Sequence, residues 1–220
     1  MDTGSGAPAS MRSEEIHGFG TLETGIVAIY GALYDRIFWD LELAEEQLGG
    51  SRIDYADLIH AAAHLRLVIE QVALASFVAS HRLISTAGTA ISNSRDFDRA
   101  RKTLRKLNPH YWPVSFGQVE RGGQVGLGVR PDIGLREKEV GQFFGAVSEV
   151  LHAQSPYVLK KVKPTPDQHL EQYQELTTKL RVLLDEHIIQ LAEHPEYIRL
   201  RHVDGENRVD AFRTEVNLLG

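Results

Sequence analysis

The chain has 220 residues, 42% hydrophobic and 25% charged, which is enough to bury one sizeable core, and it reads as a single domain. The absence of cysteine excludes disulfides, thiolate nucleophiles and cysteine-ligated zinc, and makes the cytoplasm the expected location. A formal net charge of −6 opposes indiscriminate binding to nucleic acid, whose affinity comes from cations displacing counterions, but leaves room for a local basic patch.

The opening MDTGSGAPAS has neither the basic start nor the apolar core of a signal peptide, and no stretch reads as a membrane helix, so no membrane partner is expected. Residues 1–14 are small, polar and aperiodic and read as a disordered tail, with the domain over 15–220. From Glu23 to Leu48 apolar residues recur at Ile26, Ile29, Tyr30, Leu33, Ile37, Leu41, Ala44 and Leu48 before Gly49-Gly50, which predicts a first long helix. A second begins after a cap at Asp54 and carries Leu58, Ala62, Leu65, Ile69, Val72, Ala73, Ser76, Phe77 and Leu83; its apolar breadth makes it the expected central helix.

A shorter helix runs from a cap near Ser94 to Leu107, with a basic exposed side carrying Arg99, Arg101, Lys102, Arg105 and Lys106. Residues 109–134 are rich in glycine and proline and read as a surface loop, or as a small hairpin turning at Gly122-Gly123. A fourth helix is predicted from about Leu135 to His152, its apolar side formed by Val140, Phe143, Phe144, Val147, Val150 and Leu151. Thr165-Pro166-Asp167-Gln168 matches a capping box with proline at the first helical position. It opens a fifth helix with the stripe Leu170, Tyr173, Leu176, Leu180, Leu183, Leu184, Ile188 and Leu191.

The period then changes. YIRLRHV and RVDAFRTEV flank DGEN, so residues 197–216 read as a β-hairpin; if Val203 opposes Arg208, Arg201 faces Asp210. Two strands are marginal alone, so the hairpin must lie on the helices, join the 114–130 segment or pair with a second copy. The fold class is mainly α: a bundle of about five helices with a small C-terminal hairpin, α+β at the margin.

Several residues are candidates for chemistry. Arg66 and Glu70 are spaced i,i+4 in the apolar central helix, as a structural ion pair or as partners of His152 across the bundle. His60 and His64 share a helix face with Asp57 nearby, but no HExxH accompanies them; they read as a solvated pair, and neither metal nor cofactor is expected. His152, one turn after Ser148, has a structural reading, bonding Ser148, a freed carbonyl or Glu70, and a catalytic one as general acid or base. Tyr111 and Trp112 could stack a base beside the basic helix, or Trp112 could anchor packing next to Pro113.

With LRLVIEQVALASF on the second helix, KLNPHYWP after the third and SEVLHAQSPY closing the fourth, residues 23–193 resemble the HEPN superfamily of helical proteins. Active HEPN ribonucleases carry an arginine, four to six intervening residues and then a histidine, and two copies meet across a symmetric dimer. His152 corresponds to that histidine, whereas the positions for the arginine are Gly145, Ala146 and Val147. The developing phosphorane charge then lacks its cation unless Arg66 or the basic helix supplies one. The resemblance implies a homodimer whose interface includes the fourth helix. The first reading is a non-catalytic module acting through dimerisation and contact with a protein or RNA, as scaffold or regulatory partner. The alternative is a metal-independent RNA endonuclease of toxin or defence type using His152.

Overall fold

The computed structural model describes residues 10–11, 24–80, 97–151, 166–191, 196–214 and 217–219. In chain order they form β1 (Ser10–Met11), α1 (Thr24–Leu48), α2 (Tyr55–Ala79), α3 (Phe97–Leu107), β2 (Val114–Arg121), β3 (Gln124–Val129), α4 (Glu137–Leu151), α5 (Pro166–Asp185), β4 (Glu186–Gln190), β5 (Glu196–Val203) and β6 (Glu206–Arg213). The fold is α+β. Of the five described helices, α1, α2 and α5 pack on one antiparallel sheet of order β1-β3-β2-β4-β5-β6, which is larger than the terminal hairpin expected from sequence, while α3 and α4 pack on the other helices.

α1 and α2 form an antiparallel hairpin whose apolar residues, spaced three and four apart, face each other and the sheet. Tyr30, Tyr34, Ile37 and Leu41 on α1, and Leu58, Leu65, Ile69 and Val72 on α2, are wholly or almost wholly buried. α2 starts where its sequence predicts: Asp54 accepts from the backbone N–H groups of Ala56 and Asp57 while the Asp57 carboxylate accepts from the Asp54 N–H, a reciprocal capping box. By length and composition α2 is apolar enough to cross a membrane, which the sequence reading missed. Here that apolar surface serves the core, because α2 is packed by α1, α4 and α5.

The segment read as a surface excursion is the middle of the sheet. β2 and β3 turn at Gly122 (φ 57°) and Gly123 (φ 77°), the left-handed pair that a two-residue hairpin requires, and β2 then pairs with β4 through Val114↔Ile188 and Ser115↔His187. Ser10 and Met11, within the stretch read as a disordered tail, pair with Gly128 and Leu127 on the outer side of β3. The fifth helix also ends earlier than its stripe implies. Ile188 and Leu191 continue its spacing, but Glu186–Gln190 is a strand with Ile188 facing one side of the sheet and Ile189 the other. Contiguous β-branched residues buried on both faces favour the strand.

The C-terminal hairpin is present in a different register. Asp204 (φ 56°) and Gly205 (φ 79°) alone make the turn, so Val203 pairs with Glu206, Arg201 with Arg208, and Arg199 with Asp210. The expected Arg201–Asp210 ion pair nevertheless forms, as a diagonal contact at 2.9 Å. The predicted cap at Ser94, Leu83, His81 and Thr165 lie outside the described residues.

At the helix-to-strand junction sits a buried polar chain. His187 has no exposure, its Nδ1 lies 3.2 Å from the Leu183 carbonyl and its Nε2 3.0 Å from the Tyr30 hydroxyl, which is 3.2 Å from the Tyr34 hydroxyl. The carbonyl can only accept, so Nδ1 carries the proton, Tyr30 donates to Nε2, and Tyr34 donates to Tyr30. The neutral ring satisfies every group; a second ring proton would leave the Tyr34 hydrogen without an acceptor. Burial lowers the His187 pKa to about 3, against backbone hydrogen bonds that raise it. The unfolded chain takes the proton near pH 6.5, so the stability from neutral His187 is complete above that pH and is lost as the pH falls toward 3, by about 1.4 kcal/mol per unit. Between pH 7 and 5 the wild-type unfolding free energy should therefore fall by about 2 kcal/mol more than that of His187→Gln. Parallel pH dependences in denaturant titrations would contradict a neutral buried imidazole.

Candidate functional site

α3 has two unlike sides. Leu104 and Arg101 are buried, while Arg99, Lys102, Arg105 and Lys106 lie along its exposed stripe beside Asp98. The inward arginine is drawn to Glu137 in the first turn of α4. Its Nη2 donates to Glu137 Oε1 at 2.7 Å and to the Glu137 carbonyl at 3.2 Å, and its Nε donates to the Tyr111 hydroxyl at 3.3 Å. Tyr111 donates in turn to the same Oε1 at 2.7 Å, and Arg105 reaches it as well. One carboxylate oxygen thus gathers three donors from two segments. Burial pushes the Glu137 carboxyl up, but hydrogen bonds from Arg105, Tyr111 and Arg101 outweigh it and hold the group below the usual carboxylate range. Burial, then the bond to Glu137, pushes the Tyr111 phenol up to about 12.

Next to this cluster is a pocket of about 290 Å3 between the end of α3, the 109–115 segment and the 131–137 segment. Trp112 lines it with only 4% exposure, and its indole N–H donates to the Leu135 carbonyl at 2.9 Å. The ring is therefore a packing anchor and a pocket wall, not an open platform for stacking. Arg136, also in the lining, is bound through Nε and Nη2 to Glu139, which takes Lys179 too. Led by the Arg136 bond, and against burial, these donors lower the Glu139 carboxyl to about 2.

The other candidates from sequence are not brought to this pocket. Arg66 Nε donates to Glu70 Oε1 at 3.0 Å with both side chains about a third exposed, and the Arg66 guanidinium lies 5.1 Å from the centre of the Phe144 ring on α4. That is an ion pair within α2, with the Arg66 guanidinium also resting on α4 through the Phe144 ring. His152 lies outside the described residues; α4 ends at Leu151, and the buried Ser148 has no hydrogen-bond partner for its hydroxyl among the described residues.

His60 and His64 are not a solvated pair. His60 is exposed, but His64 Nδ1 bonds Asp40 Oδ1 at 3.0 Å, and Asp57 is engaged by the α2 cap. Asp40 has no exposure and also accepts from Arg36 Nε at 3.1 Å and Gln71 Nε2 at 2.7 Å. Among the described residues no group of three or more histidine, aspartate or glutamate side chains is placed to hold a metal ion. Sequence reasoning missed Asp40, Glu137 and Arg136, and gave Tyr111 a stacking role where the structure buries it in the Glu137 cluster. Asp40 carried a readable signal: an aspartate three residues after Ile37 and one before Leu41, on the apolar stripe of a helix, with arginine four residues earlier. Nothing local in LREKEV distinguishes Glu137 from a first-turn acidic residue on any helix.

Comparison with known proteins gives no matching family model, no matching curated protein and no matching solved structure.

The division of α3 makes a specific prediction for RNA binding. Lys102→Glu with Lys106→Glu should weaken binding of a single-stranded RNA and flatten its log–log salt dependence by about 0.7 for each phosphate that is no longer neutralised. Arg101→Gln should instead lower thermal stability, because it breaks the Glu137 cluster. Unchanged RNA affinity in the double variant would assign the stripe to the solvated surface.

Proposed function

We propose that the chain is a non-catalytic, HEPN-like helical module that acts by self-association and presents its remaining surface to a protein or RNA partner. The observation that carries this reading is the outer side of the α1–α2 hairpin. Ile29, Trp39, Leu67 and Leu74 are 54%, 47%, 39% and 50% exposed. Leu67 and Leu74 lie seven residues apart on α2 and bracket Gln71; Trp39 lies under the Arg36 guanidinium at 4.1 Å and edge-on to His64. Helical spacing therefore sets Trp39, Leu67 and Leu74 beside the Asp40 cluster, with Ile29 about three turns further toward the start of α1. Exposed apolar groups collected around a polar centre are the usual mark of an interaction surface.

A second copy related by a two-fold axis fits this face, because an isologous interface sets the same α1–α2 stripe against itself. The interface is thus assigned to α1 and α2 instead of the fourth helix. On α4 the apolar side, Val140, Phe143 and Val147, is buried, and Lys138, Gly141, Gln142, Gly145 and Glu149 face outward.

Light scattering should give twice the 24.6 kDa chain mass for wild type and the single-chain mass for Leu67→Glu/Leu74→Glu, with unchanged helical circular dichroism. A wild-type monomer at high micromolar concentration, or a double variant that stays dimeric, would contradict the reading. RNA cleavage that disappears in His152→Ala would replace it with the ribonuclease alternative.

A further inference from the structure

We propose that the pocket beside the Glu137 cluster binds a small amphipathic anion: a flat apolar ring system bearing one carboxylate or phosphate group. The proposal is independent of the self-association reading, since the pocket and the α1–α2 face involve different residues.

The pocket is preformed. Pro109, Pro113 and Pro131 stiffen three of its walls, and the Trp112 indole fixes the Leu135 carbonyl. The Ser115 hydroxyl donates to the Ile133 carbonyl at 3.3 Å, the Leu135 N–H donates to the Lys179 carbonyl at 3.0 Å, and the Arg130 N–H donates to the Ser115 carbonyl at 2.7 Å. Gly134 holds φ at +73°, and a Cβ there would meet the Ser115 hydroxyl at 2.5 Å and Leu183 at 3.2 Å, so the wall approaches its neighbours as closely as glycine allows. A site held this way does not have to be ordered by its ligand, which lowers the free-energy cost of binding. Its volume, about 290 Å3, lies at the lower end of the small-ligand range of ~300–1,000 Å3, which limits the apolar body to one ring or a fused pair.

The polar lining selects the charge of the ligand. Arg105 and Arg101 share the Glu137 carboxylate, and Arg136 and Lys179 share that of Glu139, so cations outnumber carboxylates in the lining. His110 beside them is held toward its neutral form by burial. Arg101, Arg105 and Tyr111 all converge on Oε1 of Glu137, and Arg105 contributes a single Nη2, leaving the rest of a half-exposed guanidinium fork for another acceptor. The apolar part of the lining is Trp112, Ile133 and the prolines, so one cavity offers a ring an apolar wall and an anion a cation. An aromatic carboxylate and a nucleoside monophosphate share this chemistry.

Calorimetric titration of the full chain with four probes separates the contributions of ring and charge: cinnamate, adenosine 5′-monophosphate, cinnamyl alcohol as a ring without charge, and inorganic phosphate as charge without a ring. One of the two ring anions should bind at least tenfold more tightly than both cinnamyl alcohol and inorganic phosphate, and which one binds identifies the source. Ile133→Trp, which fills the pocket from its 40% exposed side, should weaken that binding at least tenfold while leaving the thermal unfolding midpoint unchanged. Should it fail to fold, Ile133→Phe serves the same purpose. Arg136→Gln should reduce the preference for the anion over cinnamyl alcohol. The proposal is overturned if neither ring anion binds at millimolar concentration, if the uncharged ring binds as well as the anions, or if the filling variant binds like wild type.

Discussion

The helical layer depends on one buried carboxylate. Asp40 sits on the inner side of α1 with no solvent exposure, in a position that costs several kcal/mol to charge unless donors surround it. Three do. Arg36 comes from the same helix one turn earlier, and His64 and Gln71 come from α2, so the carboxylate is satisfied only when the two helices stand in one register. Sliding α2 by a turn would take Gln71 and His64 away from Asp40, with His60 or Val68 brought to the His64 position and Leu67 or Ala75 to that of Gln71. Packing of alanine and leucine along α2 would tolerate such a slip far better, because Ala61, Ala62, Leu65, Val68, Ile69 and Val72 offer a nearly uniform apolar surface. The polar contact therefore supplies the specificity that the apolar contacts lack.

That register sets the sheet in place. β6 packs on α1, and α5 runs directly into β4, so the helix that closes the bundle also delivers the strand joining the two hairpins. His187 sits at that junction, bonded to the last turn of α5 and to Tyr30 on α1. Ion pairs reinforce the arrangement from outside: Arg181 of α5 holds Glu45 of α1 through Nε at 3.0 Å, and Lys179 of α5 reaches Glu139 of α4 at 2.6 Å. With α5, α4 and β2 held together, the 130–136 segment is tied to β2 through the Arg130 N–H and to α5 through the Leu135 N–H, which positions the pocket wall.

The helices are legible in the sequence because each buries a continuous stripe, and the cap at Asp54 and the turn at 122–123 declare their geometry locally. The sheet is not, because strand pairing between 114–121 and 186–190 is a long-range event and Ile188 fits the preceding helical spacing as well as it fits a strand. The terminal register differs by two residues for a related reason: DGEN reads as a four-residue turn, whereas Asp204 and Gly205 suffice. At the candidate site, the basic character of α3 is visible in RDFDRARKTLRKL, but the inward turn of Arg101 depends on Glu137, thirty-six residues away, which no local pattern announces. Trp112 stands out in the sequence as an unusual residue, and its packing role is fixed by the Leu135 carbonyl.

The most direct test of this account is a double-mutant cycle on the clamp. Unfolding free energies of wild type, Asp40→Ala, His64→Ala and the double variant, measured by denaturant titration at pH 7, give the coupling between the two side chains. If the bond between Asp40 Oδ1 and His64 Nδ1 helps fix the helix register, that coupling is on the order of 1–3 kcal/mol, and Asp40→Ala alone is strongly destabilising. Effects that add to within ~0.5 kcal/mol would contradict the account, because they would mean that the two helices find their register without this contact.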